Sequence, residues 1–156
     1  MALLLKGFFL ILFGVSCSSF SEKNAEEQGY LFDQGRQKHT VSVYDKKSKL
    51  ISQSVNIVEL GEKKATLTTL SPAFTTLMRA TLFPNKPGRI DFLGASLEDR
   101  KKIVIALLKK LSDLLWIKRG QLGSDVKVLA VSSQGSLRKL EWKLGDSKIF
   151  IEVTPL

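Results

Sequence analysis

The stretch LRKLEWKLGDSKIFIEV, residues 137–153, predicts a β-hairpin and with it an antiparallel sheet. Apolar and polar residues alternate on both sides of Gly145-Asp146, and a two-residue loop that contains glycine is a strong hairpin signal. Such a loop sets the side chains of the two strands directly opposite one another, where they stabilise the pair. The expected pairs are Trp142 with Ile149, Leu140 with Ile151, Lys139 with Glu152, and Lys143 with Lys148.

Further segments extend this hairpin into a sheet. VKVLAV, residues 126–131, is almost continuously apolar, which is typical of an interior strand. Alternation and turn residues predict strands in three segments before the middle of the chain and a short one after it. These segments are 40–45, 49–60, 60–70 and 89–93.

A shorter helix is predicted from Ser71-Pro72 to Pro84. Serine can cap the free amides of a first turn, and proline is preorganised for the first helical position. The apolar face of this helix would comprise Phe74, Leu77 and Met78.

A long amphipathic helix is predicted in SLEDRKKIVIALLKKLSDLLWIKRG, residues 96–120. Ser96 and Asp99 resemble a capping box, and Gly120 is a C-terminal stop signal. Ile105 and Trp116 lie outside the apolar arc, so either the helix is covered on more than one side, which we expect, or these two residues mark an exposed apolar spot. The arc itself comprises Ile103, Val104, Leu107, Leu108, Leu111, Leu114 and Leu115. The fold class predicted from these elements is α+β, an antiparallel β-sheet with the long amphipathic helix and the shorter helix packed on one face.

The N-terminal segment GFFLILFGVSCSSF, residues 7–20, has the pattern of an export signal. A membrane-spanning helix needs roughly 20 apolar residues, whereas the uninterrupted run here is Gly7 to Val15. Lys6 precedes the run and small residues follow it, as in a secretory signal peptide. We therefore expect a signal peptide at residues 1–16.

The residues Gly14-Val15-Ser16-Cys17 resemble the lipobox of bacterial lipoprotein precursors, with Gly14 at the position where that pattern usually has leucine. The resemblance implies that Cys17 is lipidated and becomes the new N-terminus, so the chain would be exported and anchored by lipid in the bacterial cell envelope. The polar segment 17–39 is predicted to be a flexible tether. Tyr30 to Phe32 could be a small site of interaction with a partner, but we expect them to dock on the domain. Residues 40–156 are predicted to form a single α+β domain.

Few residues offer catalytic or metal chemistry. His39 is the one histidine, lies at the edge of the predicted tether and is expected to be exposed. Asp91, Glu98 and Asp99 are the densest acids, and the last two have a structural role at a helix start. There is no glycine-rich phosphate loop, and a single cysteine rules out a cysteine-based zinc site. We expect no enzyme activity, no cofactor, no metal site and no catalytic residue.

The excess of positive charge favours either an anionic partner or a solvated lysine-rich surface that only maintains solubility. Residues 40–156 contain 20 Lys or Arg and 11 Asp or Glu, so this segment carries the whole net charge of +9. Basic surfaces favour anionic lipids, envelope polymers or acidic proteins; an exported chain is not expected to meet nucleic acid. The candidate binding residues are Arg100, Lys101, Lys102, Lys109, Lys110, Lys139, Lys143 and Lys148.

The sequence therefore predicts a membrane-anchored envelope lipoprotein whose basic domain binds a protein or an anionic envelope component. Two alternatives come from other classes of protein. One is an exported hydrolase whose active site is assembled only in the fold. The other is a single-span membrane protein that retains its N-terminal helix, with Lys6 on the cytoplasmic side.

Overall fold

The computed structural model describes residues 29–156, and the predictions for the leader, including lipidation of Cys17, lie outside these residues. Within this range the chain forms eight strands, two α-helices and a short 3-10 helix at Arg119–Gln121. The helices are α1 (Ala95–Glu98) and α2 (Lys101–Leu115). The strands are β1 (Gly35–Tyr44), β2 (Leu50–Leu60), β3 (Ala65–Leu70), β4 (Thr76–Phe83), β5 (Lys86–Leu93), β6 (Val126–Val131), β7 (Leu137–Leu144) and β8 (Ser147–Pro155).

The eight strands of residues 29–156 form one antiparallel sheet in the order β5-β4-β3-β2-β1-β8-β7-β6. Consecutive strands are neighbours along the sheet except at the connection from β5 to β6, which joins the two edge strands through α1 and α2. The first and last strands, β1 and β8, pair in the middle of the sheet.

The long helix α2 lies between the two edges of the sheet. One side of it faces β5, where Ile105 and Ile90 border a groove, and another side faces β6 and β7, where Leu114 and Trp142 border a depression. Eight strands about 4.8 Å apart would place the edges of a flat sheet about 34 Å apart, whereas a helix is only about 10 Å wide. The sheet is therefore curled around the helix.

The C-terminal hairpin forms with the predicted register. Trp142 pairs with Ile149, and Leu140 pairs with Ile151, with all four side chains buried in the core. Gly145 has a φ of 61°, which suits the first central position of a type II′ turn. The outward pairs also match the prediction: Lys139 with Glu152 and Lys143 with Lys148.

The predicted α+β class is wrong, because the segment after Ser71-Pro72 is strand β4 and not a helix. Met78, Ala80 and Leu82 are buried in alternation, which is the two-residue period of a strand. The Oγ of Ser71 does accept a backbone N–H, but that of Thr75 within a hairpin turn. The described chain is thus a large antiparallel sheet with one long helix.

The long helix is shorter and less buried than predicted. Ser96 lies inside the single turn α1, whose N-cap is Gly94, so the predicted capping box does not form. Of the predicted apolar arc, Leu108, Leu114 and Leu115 are buried, while Ile103 and Leu107 are exposed. The sheet therefore covers mainly the C-terminal half of α2.

The strand VKVLAV lies at an edge of the sheet and not in its interior. It is β6, which has β7 as its single strand neighbour within residues 29–156. Its second half is exposed, including Leu129 and Val131. Continuous apolar character therefore did not identify a central strand here, because burial depends on what packs on each face.

The domain begins before residue 40, the boundary predicted from the sequence. Leu31 and Phe32 are buried in the core, so the predicted docking of this segment is confirmed. The N–H of Leu31 donates to the Ile117 carbonyl at 2.9 Å. Strand β1 starts at Gly35, and residue 40 lies in its middle.

Candidate functional site

The predicted basic residues do not form a single site. Lys139, Lys143 and Lys148 lie on β7 and β8, at positions that alternate with buried residues and so face away from the core. The other five are exposed residues at or on α2, which packs on the core face of the sheet. These five are Arg100, Lys101, Lys102, Lys109 and Lys110.

Two of these basic residues are paired with acids. Lys139 Nζ lies 2.7 Å from Glu152 Oε1 and 5.9 Å from the centre of the Phe150 ring. Lys101 Nζ lies 3.7 Å from Glu98 Oε1. Within residues 29–156 the remaining six form no ion pair. No described acid neutralises these six charges.

One concave site joins some of these charges to an apolar surface. It is a groove of about 490 Å³ between α2, strand β5 and the β4–β5 turn. Volumes of about 300–1,000 Å³ are usual for small-molecule sites. We call it the α2–β5 groove. Its apolar wall consists of Pro87, Ile90, Ile105, Ala106 and Leu108, and its charged border of Lys86, Lys102, Lys109 and Asp113.

The periodicity of α2 explains why these residues share one wall. Lys102, Ile105, Lys109 and Ser112 follow one another at intervals of three or four residues, and such positions lie on one side of a helix. Ser112 Oγ donates to the Phe83 carbonyl at 2.6 Å, which holds this side of the helix against the end of β4.

Strand β5 comes close to its neighbour because it has a glycine at the groove. A Cβ added at Gly88 would lie 2.8 Å from Leu82 Cδ2. Leu82 is fully buried, so a larger residue at position 88 would force the strand outward or displace the core.

Two residues that line this groove, Lys86 and Ile105, were not expected there from the sequence. Lys86 was not among the candidate residues, because nothing in the turn sequence PNKPG showed that the turn would lie beside the helix. Ile105 was expected to be covered, yet 52% of it is exposed. Trp116, the other residue outside the arc, is half-buried, and its Nε1–H donates to the Gly61 carbonyl at 3.0 Å.

A second, smaller depression of about 290 Å³ lies on the other side of α2. Lys110 and Lys143 both border it, and Asp113 and Asp125 border it as well. Its acids match its bases in number. The α2–β5 groove has three lysines and one acid, so it is the more basic of the two.

His39 is buried and not exposed, which corrects the sequence prediction. Its Nε2–H donates to Gln37 Oε1 at 2.8 Å, and its ring stacks on Phe32 with 5.3 Å between the ring centres. The amide orientation is set by Gln37 Nε2, which donates to the Asp33 carbonyl. Loss of water around the ring lowers the pKa of His39 to about 4. His39 thus stays neutral at neutral pH.

The acids of the described chain are dispersed. Asp91 accepts a hydrogen bond from Thr81 Oγ1 and another from Arg89 Nε, both at 2.7 Å, and these two bonds lower the pKa of its carboxyl. Among residues 29–156 no three His, Cys, Asp or Glu residues are grouped so that they could hold a metal ion.

In the described part of the chain, neither helix has both the length and the apolar character required to cross a bilayer. The sequence matches no protein-family model and no curated protein.

Proposed function

We propose that this protein is an exported envelope lipoprotein, attached to a membrane through Cys17, whose domain binds a small anionic amphiphile in the α2–β5 groove. One observation carries the binding proposal: three lysines without ion pairs, within residues 29–156, border a groove with an apolar wall. The net charge alone predicts an anionic partner. The groove favours an anionic molecule that also has an apolar chain.

The two parts of the groove would act on different parts of such a ligand. The apolar wall favours a hydrocarbon chain, because each Å² of apolar surface removed from water contributes about 25 cal/mol. The lysines favour a carboxylate or phosphate head, but exposed ion pairs contribute only about 0.2–1 kcal/mol each. The wall would therefore supply most of the affinity, and the lysines would supply the preference for an anion.

The membrane attachment is supported by the leader and by its lipobox-like residues. A single acyl chain gives only marginal membrane binding, whereas several chains on one residue hold a protein stably. An anchored domain of this kind would meet amphiphiles at the membrane surface, where they are abundant.

The binding proposal is tested by photo-crosslinking of the full chain in isolated envelopes with a diazirine-bearing fatty acid. We expect the label on peptides that contain Ile90 or Ile105, identified by mass spectrometry. The substitution Ala106→Trp fills the groove and should abolish this label. Lys102→Gln with Lys109→Gln should lower it roughly two- to thirtyfold, which corresponds to two exposed ion pairs.

Matched variants separate the groove from general effects. Ala130→Trp adds the same bulk on the exposed end of β6, and Lys127→Gln with Lys148→Gln removes the same charge from other strands. Both should leave the label unchanged. A diazirine-bearing alcohol of equal length should label wild type and the lysine variant equally. Labelling outside the groove, or equal loss in the control variants, would contradict the proposal.

A further inference from the structure

Three hairpin turns lie at the same end of the sheet, far from the end where residues 29–34 enter the domain. They are the β1–β2 turn, residues 45–49, the β3–β4 turn, residues 71–75, and the β7–β8 turn, residues 145–146. The β1–β2 hairpin projects further than the β3–β4 turn, because β3 pairs with β2 only as far as Val55. The five residues Leu50 to Ser54 extend past that point by about 17 Å. On its other side the β1–β2 hairpin is flanked by β8, which pairs with β1 as far as Tyr44.

Phe74 is presented at the tip of the β3–β4 turn. It is 75% exposed, the largest exposed fraction of the large apolar residues described. Its φ is 59°, a region that bulky residues rarely adopt. The turn holds it there, since its N–H donates to the Ser71 carbonyl and the N–H of Ser71 donates to the Thr75 carbonyl, each at 2.9 Å. Such a strained conformation at an exposed aromatic residue is a pointer to function.

The β1–β2 hairpin adds both positive charge and apolar surface. Lys46, Lys47 and Lys49 are exposed in its turn, and none forms an ion pair within residues 29–156. Asp45 adds one negative charge to this turn, and its Oδ1 accepts the backbone N–H groups of Lys47 and Lys49 at 2.8 and 2.9 Å, which shapes the turn. Leu50 and Ile51, which follow directly, are 46% and 59% exposed.

We propose that this end of the sheet docks on the surface of an anionic bilayer, with Phe74 inserted among the lipids and the lysines paired with headgroup phosphates. Because the β1–β2 hairpin projects further than the β3–β4 turn, the sheet would be tilted on the bilayer so that both turns reach it. We call the surface formed by Lys46, Lys47, Lys49, Leu50, Ile51 and Phe74 the hairpin end. Its composition fits the interface of a membrane, where apolar side chains enter the acyl boundary and lysines remain at the charged headgroups.

The length of the chain before the domain is compatible with this orientation. The inference rests on the proposed attachment at Cys17. Strand β1 has 10 residues and is about 33 Å long, and it runs from the entry of the chain to the hairpin end. The residues between Cys17 and Gly29 can span about 40 Å when extended. An anchored domain can therefore turn the hairpin end toward the membrane that holds Cys17.

The test uses the full chain reconstituted in vesicles that contain phosphatidylglycerol and brominated phosphatidylcholine. Phe74→Trp places a fluorescent reporter in the β3–β4 turn, and Gln134→Trp places one in the β6–β7 turn at the opposite end of the sheet. The signal of Trp116 and Trp142 is subtracted with the wild-type protein. We expect quenching by the brominated lipid to be at least about twofold stronger at position 74 than at position 134.

Charge reversal tests the role of the lysines. Lys46→Glu, Lys47→Glu and Lys49→Glu together should lower the excess quenching at position 74 by about fivefold or more at low salt. The matched control reverses Arg36, Lys63 and Lys64 at the opposite end and should leave it unchanged. Equal quenching at both positions, or quenching that is insensitive to the three lysines, would overturn the proposal. Vesicle flotation in the same samples reports membrane attachment separately, so failure of the anchor is distinguished from failure of docking.

Discussion

His39 lies in the core with its ring against Phe32 and with Gln37 as its hydrogen-bond partner. Strand β1 brings it there, because its neighbours in the sheet are Asn56 on β2 and Val153 on β8. The Oδ1 of Asn56 is buried without a hydrogen-bond partner within the described chain. A histidine in a polar segment is usually exposed, and only the pairing of β1 with both neighbours buries this one.

The burial of His39 predicts a loss of stability in mild acid. Its pKa is about 4 in the folded protein against 6.5 for the ordinary side chain, so the unfolded chain binds the proton first as the pH falls. Each pKa unit corresponds to about 1.4 kcal/mol. The free energy of unfolding should therefore fall by about 3 kcal/mol between pH 6.5 and pH 4 through this residue. Urea unfolding at a series of pH values measures this change in the free energy of unfolding.

The matched variant for this prediction is His39→Gln, which keeps a neutral hydrogen-bonding side chain but cannot titrate. Other groups also respond to acid, so the relevant quantity is the difference between the wild type and the variant. That difference should change by about 3 kcal/mol over the same pH range. Parallel pH profiles would show that His39 is not the group responsible.

At the scale of elements, the local sequence pattern predicted the secondary structure of α2 correctly, but for β4 the tertiary context overrode it. The long helix was predictable because its apolar residues recur with helical spacing over several turns. The segment of β4 also has residues with helical spacing, Phe74, Leu77 and Met78, but its neighbours β3 and β5 supply backbone partners on both sides. Pairing in the sheet satisfies the backbone N–H and C=O groups of β4, and the core face of the sheet buries every second side chain of the strand. This gain outweighed the helix start signal at Ser71-Pro72.

The burial of α2 predicts unequal costs for two substitutions in the same predicted apolar arc. Leu115 is fully buried and Ile103 is 61% exposed. Leu115→Ala should lower the free energy of unfolding by about 2–5 kcal/mol, and Ile103→Ala should change it by less than about 0.5 kcal/mol. Chemical denaturation compares the two. Similar losses in both variants would mean that the N-terminal half of α2 is covered in solution.

At the scale of the whole molecule, the connection from β5 to β6 creates the candidate site. The helix must pass from one edge of the sheet to the other, and it leaves the α2–β5 groove open beside the edge strand. The groove and the hairpin end belong to different parts of the domain and would be used at the same membrane. The proposed attachment through Cys17 would bring both surfaces to that membrane.

The attachment is tested on the protein isolated from its native membrane. We expect mass spectrometry of the N-terminal peptide to show that residues 1–16 are missing and that Cys17 carries a diacylglycerol group. In the Cys17→Ser variant, alkaline carbonate should release the protein from the membrane fraction. An intact Met1 would exclude processing, and retention of the variant would support the single-span alternative.

The sequence by itself determined the C-terminal hairpin, including its register, and the existence of the long helix. Both depend on contacts between residues close in the chain, namely the turn at Gly145-Asp146 and the helical spacing of the leucines. Only the tertiary structure decided that residues 76–83 form a strand, that His39 is buried, and that Lys86 lies beside Lys102 and Lys109 at one groove. These features depend on which strands pair and on how the sheet curls around α2, and such long-range contacts leave no periodic pattern in the chain.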